Sequence, residues 1–190
     1  MQKKNGFTLV EVLAVIVILG IVMIIAVPAI SKYILKSDKS VYASDVQAYI
    51  ESIRAKYEMK EYGPLLKDDE IMMVPLSHIV FEKGDSQNSP YGAYDFSRSY
   101  VLIVPEKHGY NFYATVIDSA KVGIINQPAN VIGENVVQDD IEQTLPLIST
   151  YRLINSTYEF NEKTYKRSDL RDIEGLNETT EEKVIVFKLT

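Results

Sequence analysis

The chain has 190 residues, a mass of 21.5 kDa, a formal net charge of -6 and no cysteine. This length suggests one compact domain, or one domain with an appendage. The composition excludes a collagen-like, disordered or disulfide-stapled chain. The mean hydropathy of -0.04 resembles that of a soluble protein, but it averages over two very different regions.

Charge separates the N-terminal region from the rest of the chain. Residues 1–36 contain four lysines and one glutamate, a net charge of +3, so the remaining residues carry -9. An acidic surface argues against nucleic-acid binding, and we expect no direct nucleic-acid partner. The sequence therefore predicts a basic, apolar arm joined to an acidic, polar body.

The arm contains an apolar run, residues 12–30, with 19 consecutive uncharged residues: VLAVIVILGIVMIIAVPAI. A helix of about 20 apolar residues spans the hydrocarbon core of a bilayer. Because lysines precede the run, the positive-inside rule places the N-terminus in the cytoplasm and the body outside. A cleaved signal peptide is disfavoured, because its apolar stretch is shorter and a small-residue cleavage site follows it. The run by itself also fits a plain membrane anchor or a buried core helix.

Glu11 is explained by neither a plain anchor nor a buried core helix. A carboxylate in a membrane span costs about 2.5–3.5 kcal/mol at the centre and less near the interface, where it can snorkel to the headgroups. An ionisable residue in a span indicates a functional site with a partner. Lys4 lies seven residues earlier and precedes the span, so a partner on another molecule is the natural candidate.

The residues around Glu11, KKNGFTLVE, resemble the type IV prepilin signature. That signature is a short basic leader ending in Gly, then Phe-Thr-Leu, then Glu at the fifth mature position. The resemblance implies that a prepilin peptidase cuts after Gly6 and that Phe7 becomes N-methylated. It also implies that Glu11 pairs, during assembly, with the Phe7 amine of a neighbouring subunit.

Two helix-weakening residues lie inside the apolar run. Pro28 lacks an N–H and clashes with the preceding turn, and Gly20 costs about 1 kcal/mol relative to Ala. Gly and Pro are also simply common in membrane helices. The family resemblance implies a different role, in which Gly20 and Pro28 bound a segment that is helical in the free subunit and melts in the filament.

The helical pattern continues beyond the membrane span. Apolar residues recur at spacings of three and four from Tyr42 to Tyr57, the period of an amphipathic helix. Gly63-Pro64 predicts its end, so we expect one helix over residues 7–62. Its second half should pack its apolar face against the body.

The sequence of the body, residues 65–190, predicts mostly β-strands. Residues 99–104 and 110–117 are β-rich runs separated by a loop with Gly, which predicts a hairpin. Residues 147–154 and 183–189 are further candidate strands, and residues 141–145 suggest a short helix. An antiparallel sheet laid over the second half of the helix would bury both apolar faces. The expected fold is α+β and, from the resemblance, pilin-like.

The sequence offers little catalytic chemistry. His78 and His108 occur singly, and the chain has no phosphate loop and no nucleophile motif, so we expect no enzyme and no cofactor. Asp85, Asp95 and Asp118 are weak calcium candidates. Their spacing matches no calcium loop, which favours solvated loops and no metal.

The leading hypothesis is a type IV pilus subunit. Its parts would be a leader (1–6), a transmembrane and filament-core helix (7–35), an amphipathic helix (36–62) and a β-rich head (63–190). The expected partners are other pilin copies, the cytoplasmic membrane, the assembly machinery and prepilin peptidase. We expect the chain to be a single-pass membrane protein before assembly and part of a pilus on the cell surface after assembly. Two rival hypotheses are a pseudopilin of a type II secretion or DNA-uptake system, and a membrane-anchored extracytoplasmic binding domain.

Overall fold

The computed structural model describes residues 8–79, 87–142, 144–168 and 183–190. Its first element is a helix, α1, at Leu9–Glu58. The chain divides into two compact units, Met1–Asp38 and Lys39–Thr190. Helix α1 contributes residues to both, and each unit is described by itself.

The second unit is built around one antiparallel sheet of seven strands. Their order across the sheet is β4-β3-β2-β1-β7-β6-β5. A short helix, α2, at Ile148–Tyr151 precedes β5. This arrangement confirms the expected α+β class, with a long N-terminal helix and an antiparallel sheet. The strands are β1 Glu70–Pro75, β2 Tyr100–Glu106, β3 Gly109–Ile117, β4 Gly123–Pro128, β5 Thr157–Phe160, β6 Lys163–Arg167 and β7 Ile185–Leu189.

The C-terminal part of α1 supplies one wall of the main core. Its side chains at three- and four-residue spacing, Tyr42, Val46, Tyr49, Ile53 and Tyr57, are at most 4% exposed. They pack against alternate residues of the sheet, because successive side chains of a strand point to opposite faces. The sheet residues in this cluster include Met72, Val74, Val101, Ile103, Phe112, Ala114, Val116 and Val186.

The opposite face of the sheet buries a second, aromatic cluster. The rings of Tyr113 in β3 and Phe160 in β5 lie 4.8 Å apart. The hydroxyls of Tyr100 in β2 and Tyr158 in β5 lie 3.0 Å apart. Strand β5 is four or five places from these partners in strand order, so such contacts require the sheet to curl around this cluster.

Two predicted elements have a different conformation in the structure. Residues 147–154, predicted as a strand, form α2 and a turn. Ile148 and Tyr151, three residues apart, both pack on the aromatic cluster, and that is helical spacing. Residues 141–145, predicted as a short helix, are irregular where they are described. The Ile141 N–H donates to the Lys121 carbonyl at 2.9 Å, so its hydrogen bond goes to a distant segment instead of a helical turn.

Helix α1 ends at Glu58, four residues before its predicted end at residue 62. Lys60 has a positive φ of 61°, and its N–H donates to the Tyr57 carbonyl at 2.9 Å. The next N–H, of Glu61, donates to the Lys56 carbonyl at 3.0 Å. These two bonds form a Schellman motif, which usually has Gly where this chain has lysine.

Candidate functional site: the N-terminal helix

The first unit exposes a long apolar surface. Its large apolar side chains from Leu9 to Leu35 are each about half exposed or more. Among the described residues, α1 is the helix long and apolar enough to cross a membrane, and none of its most apolar stretch is buried. Such a surface needs lipid or other protein chains to cover it.

A hydrogen-bonded cap begins this helix. Thr8 precedes the first helical residue, and its hydroxyl accepts a hydrogen bond from the Glu11 N–H at 3.3 Å. In return, Glu11 Oε2 accepts hydrogen bonds from the Thr8 N–H at 2.8 Å and from the Thr8 hydroxyl at 3.0 Å. This reciprocal pattern is a capping box, and it satisfies backbone donors that a helix start leaves unpaired.

The Glu11 carboxylate is held close to the chain but stays exposed. Both hydrogen bonds that the carboxylate accepts within the described residues end on Oε2. Within the described residues it forms no ion pair, so its charge is not neutralised there. The predicted cleavage and methylation residues, Gly6 and Phe7, lie outside the described residues.

Helix α1 is continuous through Gly20 and Pro28, the two helix-weakening residues. Pro28 lies within the helix, and its missing N–H leaves the Ile24 carbonyl without the usual helical donor. One turn later, the Ser31 hydroxyl donates to the Val27 carbonyl at 3.0 Å, a contact that tends to bend helices. A Cβ added at Gly20 would meet no atom within 4 Å, so this glycine is not required by packing within the subunit.

Two of the three calcium candidates line one open cavity of about 250 Å³ in the second unit. Asp118 Oδ1 accepts from the N–H groups of Ala120 and Val122, and its Oδ2 accepts from the Ser89 hydroxyl. Both oxygens of Asp95 are also occupied, by Ser97 and Arg98. Asp85 lies outside the described residues. Within the described part of the chain, no group of three or more His, Cys, Asp or Glu residues could hold a metal ion.

Residues 1–27 match the family model described as the prokaryotic N-terminal methylation motif. The chain carries the type IV prepilin signature. The matched region contains Gly6, Phe7, Glu11 and Gly20 and ends one residue before Pro28. No curated protein and no solved structure gives a significant match. The prepilin signature points to a structural subunit, and with the apolar helix it fits a membrane-anchored precursor that assembles with pilin subunits.

The capping box is the feature of this site that the sequence-based predictions omitted. Its signal was present, because Thr8-x-x-Glu11 directly before an apolar run is the sequence pattern of a capping box. Glu11 was interpreted only as an assembly residue. The structure adds a local role, in which the same carboxylate fixes the first turn of α1.

Proposed function

We propose that this protein is a type IV pilus subunit. It is made as a membrane-anchored precursor, cleaved after Gly6, N-methylated at Phe7 and polymerised through its N-terminal helix. The observation that carries the proposal is Glu11, a carboxylate in the first turn of an exposed apolar helix and within the matched prepilin signature.

The parts of the chain follow from this role. Residues 1–6 are the leader, and residues 7–35 form the membrane anchor and later the filament core. Residues 36–62 contain the amphipathic part of the helix, which ends at Glu58, and the turn that follows it. The buried face of this part of the helix joins the core of the second unit. Residues 63–190 form the head, which faces the outside of the cell.

Glu11 sets the register between subunits. The mature chain begins with a positively charged amine on Phe7, and a neighbour in the filament would bring that amine to the Glu11 carboxylate. Leaving one member of a buried ion pair unmatched costs roughly 3–5 kcal/mol, whereas the matched pair adds little net stability. The pair therefore penalises wrong registers more than it strengthens the right one.

The helix between Gly20 and Pro28 is the segment that changes on assembly. Pro28 removes one hydrogen bond from the helix, and Gly20 lowers its intrinsic stability. Neighbouring chains in a filament core would cover the freed backbone groups. A filament density map with continuous helix through this segment would contradict the proposed transition.

The proposed partners are those that process the precursor and assemble the mature subunit. Prepilin peptidase processes the precursor in the cytoplasmic membrane, with residues 1–6 on the cytoplasmic side. The assembly machinery then extracts the mature chain into a surface filament made of copies of this chain or of this chain with other pilins. Energy must come from a separate ATPase, because this sequence has no nucleotide-binding motif.

Two other functions compete with a pilus subunit. A pseudopilin of a type II secretion or DNA-uptake system would share the leader, Glu11 and the helix. A membrane-anchored extracytoplasmic binding domain would need the apolar span and the head, but it would have no use for Glu11 or for cleavage after Gly6.

Mass spectrometry of the protein isolated from its host tests the proposal. We expect a chain that begins at methylated Phe7. A Gly6→Val variant should keep Met1, whereas the matched variant Asn5→Ala should still be cleaved. A wild-type chain that begins at Met1 or after Ala29 would exclude the pilin function. Filaments on the cell surface that contain this chain would then separate a pilus from a pseudopilus.

A further inference from the structure

Two lysines stand side by side on one face of the sheet. Lys166 of β6 and Lys188 of β7 are directly opposite each other in the antiparallel register, and both are exposed. Like charges at directly opposed positions destabilise a sheet. We call this pair the lysine row.

The lysine row is only weakly neutralised within the described residues. Lys188 Nζ lies 3.5 Å from Asp69 Oδ2, and both side chains are about half exposed. Lys166 forms no ion pair in the described part of the chain. On its other side Lys188 is in register with Glu70, a buried carboxylate, so Lys166 is the member of the row without a described counter-charge. An anionic partner would remove the repulsion between the two lysines.

The same unit has an anionic surface that could be that partner. Asp139, Asp140 and Glu142 are exposed and close in sequence, and we call them the acidic turn. Asp139 forms an ion pair with Lys39, whose Nζ donates to Asp139 Oδ2 at 2.6 Å. Asp140 and Glu142 form no ion pair among the described residues, so two of the three carboxylates are available to another molecule.

The two surfaces lie at opposite ends of the second unit along α1. Lys39 fixes the acidic turn at the start of the part of α1 in this unit. Lys188 is paired in register with Glu70, which accepts a hydrogen bond from the Lys67 N–H. The N–H of the preceding residue, Leu66, donates to the Tyr57 hydroxyl near the end of α1. Lys39 and Tyr57 are 18 residues apart in sequence, which corresponds to about 27 Å along a helix.

We propose that the lysine row of one subunit contacts the acidic turn of a second copy of this chain. Opposite charges at opposite ends give a head-to-tail contact, and such a contact builds an open filament when the rotation between copies does not close into a ring. The inference rests on the proposed function, because the N-terminal helices must first bring the copies together. It assigns these residues to the contact between heads.

Disulfide cross-linking tests the contact directly, because the wild-type chain has no cysteine. Filaments of the double variant Lys166→Cys with Glu142→Cys should give a ladder of covalent oligomers on oxidation. Each single variant should give none. The matched pair Ser149→Cys with Glu142→Cys should also give none, because Ser149 is exposed on α2, which packs on the opposite face of the sheet.

The result of cross-linking separates this inference from the proposed function. Intact filaments without a ladder, or with covalent dimers only, would overturn the head-to-tail contact and leave the pilin function standing. If the wild-type chain never enters a filament, the proposed function fails and this inference fails with it.

Charge exchange provides a second test. Lys166→Glu should lower the incorporation of subunits into filaments roughly three- to tenfold, the range expected for one or two exposed charge pairs. Adding Glu142→Lys to the same chain should restore incorporation. The effect should weaken at high salt. Failure of this rescue would overturn the inference.

The melting temperature of the purified subunit tests whether the lysine row is neutralised by another part of the same subunit. The segment 169–182 has six acidic residues and one arginine, and it lies outside the described residues. Lys166→Gln should leave the melting temperature unchanged or higher, because it removes the repulsion between the two lysines and keeps the ion pair of Lys188 with Asp69. A lower melting temperature together with unchanged incorporation would show that the row is neutralised within the subunit, against our inference.

Discussion

The Thr8 N–H and the Thr8 hydroxyl both donate to the same carboxylate oxygen of Glu11. One residue thus has two possible roles, a helix cap within the subunit and a charged partner between subunits. The capping role needs only a hydrogen-bond acceptor, whereas the assembly role needs a negative charge. This difference allows the two roles to be separated by substitution.

Glu11→Gln should keep the cap and lose assembly. The glutamine carbonyl can still accept from Thr8, because capping boxes use Glu or Gln at this position. It cannot neutralise the Phe7 amine of a neighbour, and an unmatched buried charge costs roughly 3–5 kcal/mol. We expect Glu11→Gln and Glu11→Ala to reach the membrane normally but to enter filaments at least about tenfold less.

The measurement is the ratio of filament to membrane subunit on immunoblots, with Thr8→Ser as the control that keeps the hydroxyl. If Glu11→Gln assembled like the wild type while Glu11→Ala did not, the cap and not the charge would explain Glu11.

The sequence predicted the N-terminal helix and the fold class well, because their signals are local and strong. The apolar run and the spacing from Tyr42 to Tyr57 extend over many turns, and α1 includes both. The end of α1 was wrong by four residues. Gly63-Pro64 is a stronger stop in sequence than Lys60, but Lys60 adopts the left-handed conformation that ends the helix.

Lys60→Gly should stabilise the protein. Non-glycine residues pay about 1–2 kcal/mol for a left-handed conformation, and glycine avoids this cost. Part of the gain is lost because glycine is more flexible in the unfolded chain. We therefore expect the free energy of unfolding to rise by about 0.5–1 kcal/mol, measured by urea denaturation of the full chain in detergent. Lys60→Ala should give no such gain, and an equal gain would implicate the lysine charge instead of the backbone.

The hairpin of β5 and β6 shows why the rest of the sheet was hard to predict. Its strands are four and five residues long and carry several charges, and neither was among the predicted strands. The turn residues Asn161 and Glu162 both have positive φ, and Glu162 occupies a position where glycine is usual. Contacts between distant strands, such as Tyr158 with Tyr100, hold this hairpin in place. Such contacts are not visible in one sequence.

Asp118 should be essential for the stability of the head. Asp118 is only 3% exposed, and its carboxylate accepts three hydrogen bonds, two from backbone N–H groups and one from the Ser89 hydroxyl. Removing it leaves buried donors unpaired, at about 1–3 kcal/mol for each such group. Asp118→Ala should lower the free energy of unfolding by about 2–4 kcal/mol. Asp68→Ala, at an exposed position, should change it by less than about 0.5 kcal/mol.

Calcium should leave the stability of the head unchanged. The described carboxylate oxygens of Asp95 and Asp118 already accept hydrogen bonds, so binding an ion would require breaking them. We expect the same melting temperature in millimolar calcium chloride and in excess chelator. A rise with calcium that disappears in Asp85→Asn would instead support a calcium site that includes Asp85.

Asp95 should make the head sensitive to acid. Partial burial raises its pKa, but hydrogen bonds from Ser97 and Arg98 outweigh this effect and hold the pKa of Asp95 below its ordinary value. A carboxyl whose pKa is lowered by folding stabilises the protein above its unfolded pKa of about 4 and loses that contribution as the pH falls through the folded value. Asp95→Asn should therefore lower the melting temperature at pH 7, and the difference from the wild type should shrink below about pH 4. Asp68→Asn is the control, and its difference should stay small at every pH. A difference for Asp95→Asn that did not shrink in acid would show that the charge of Asp95 contributes nothing to stability.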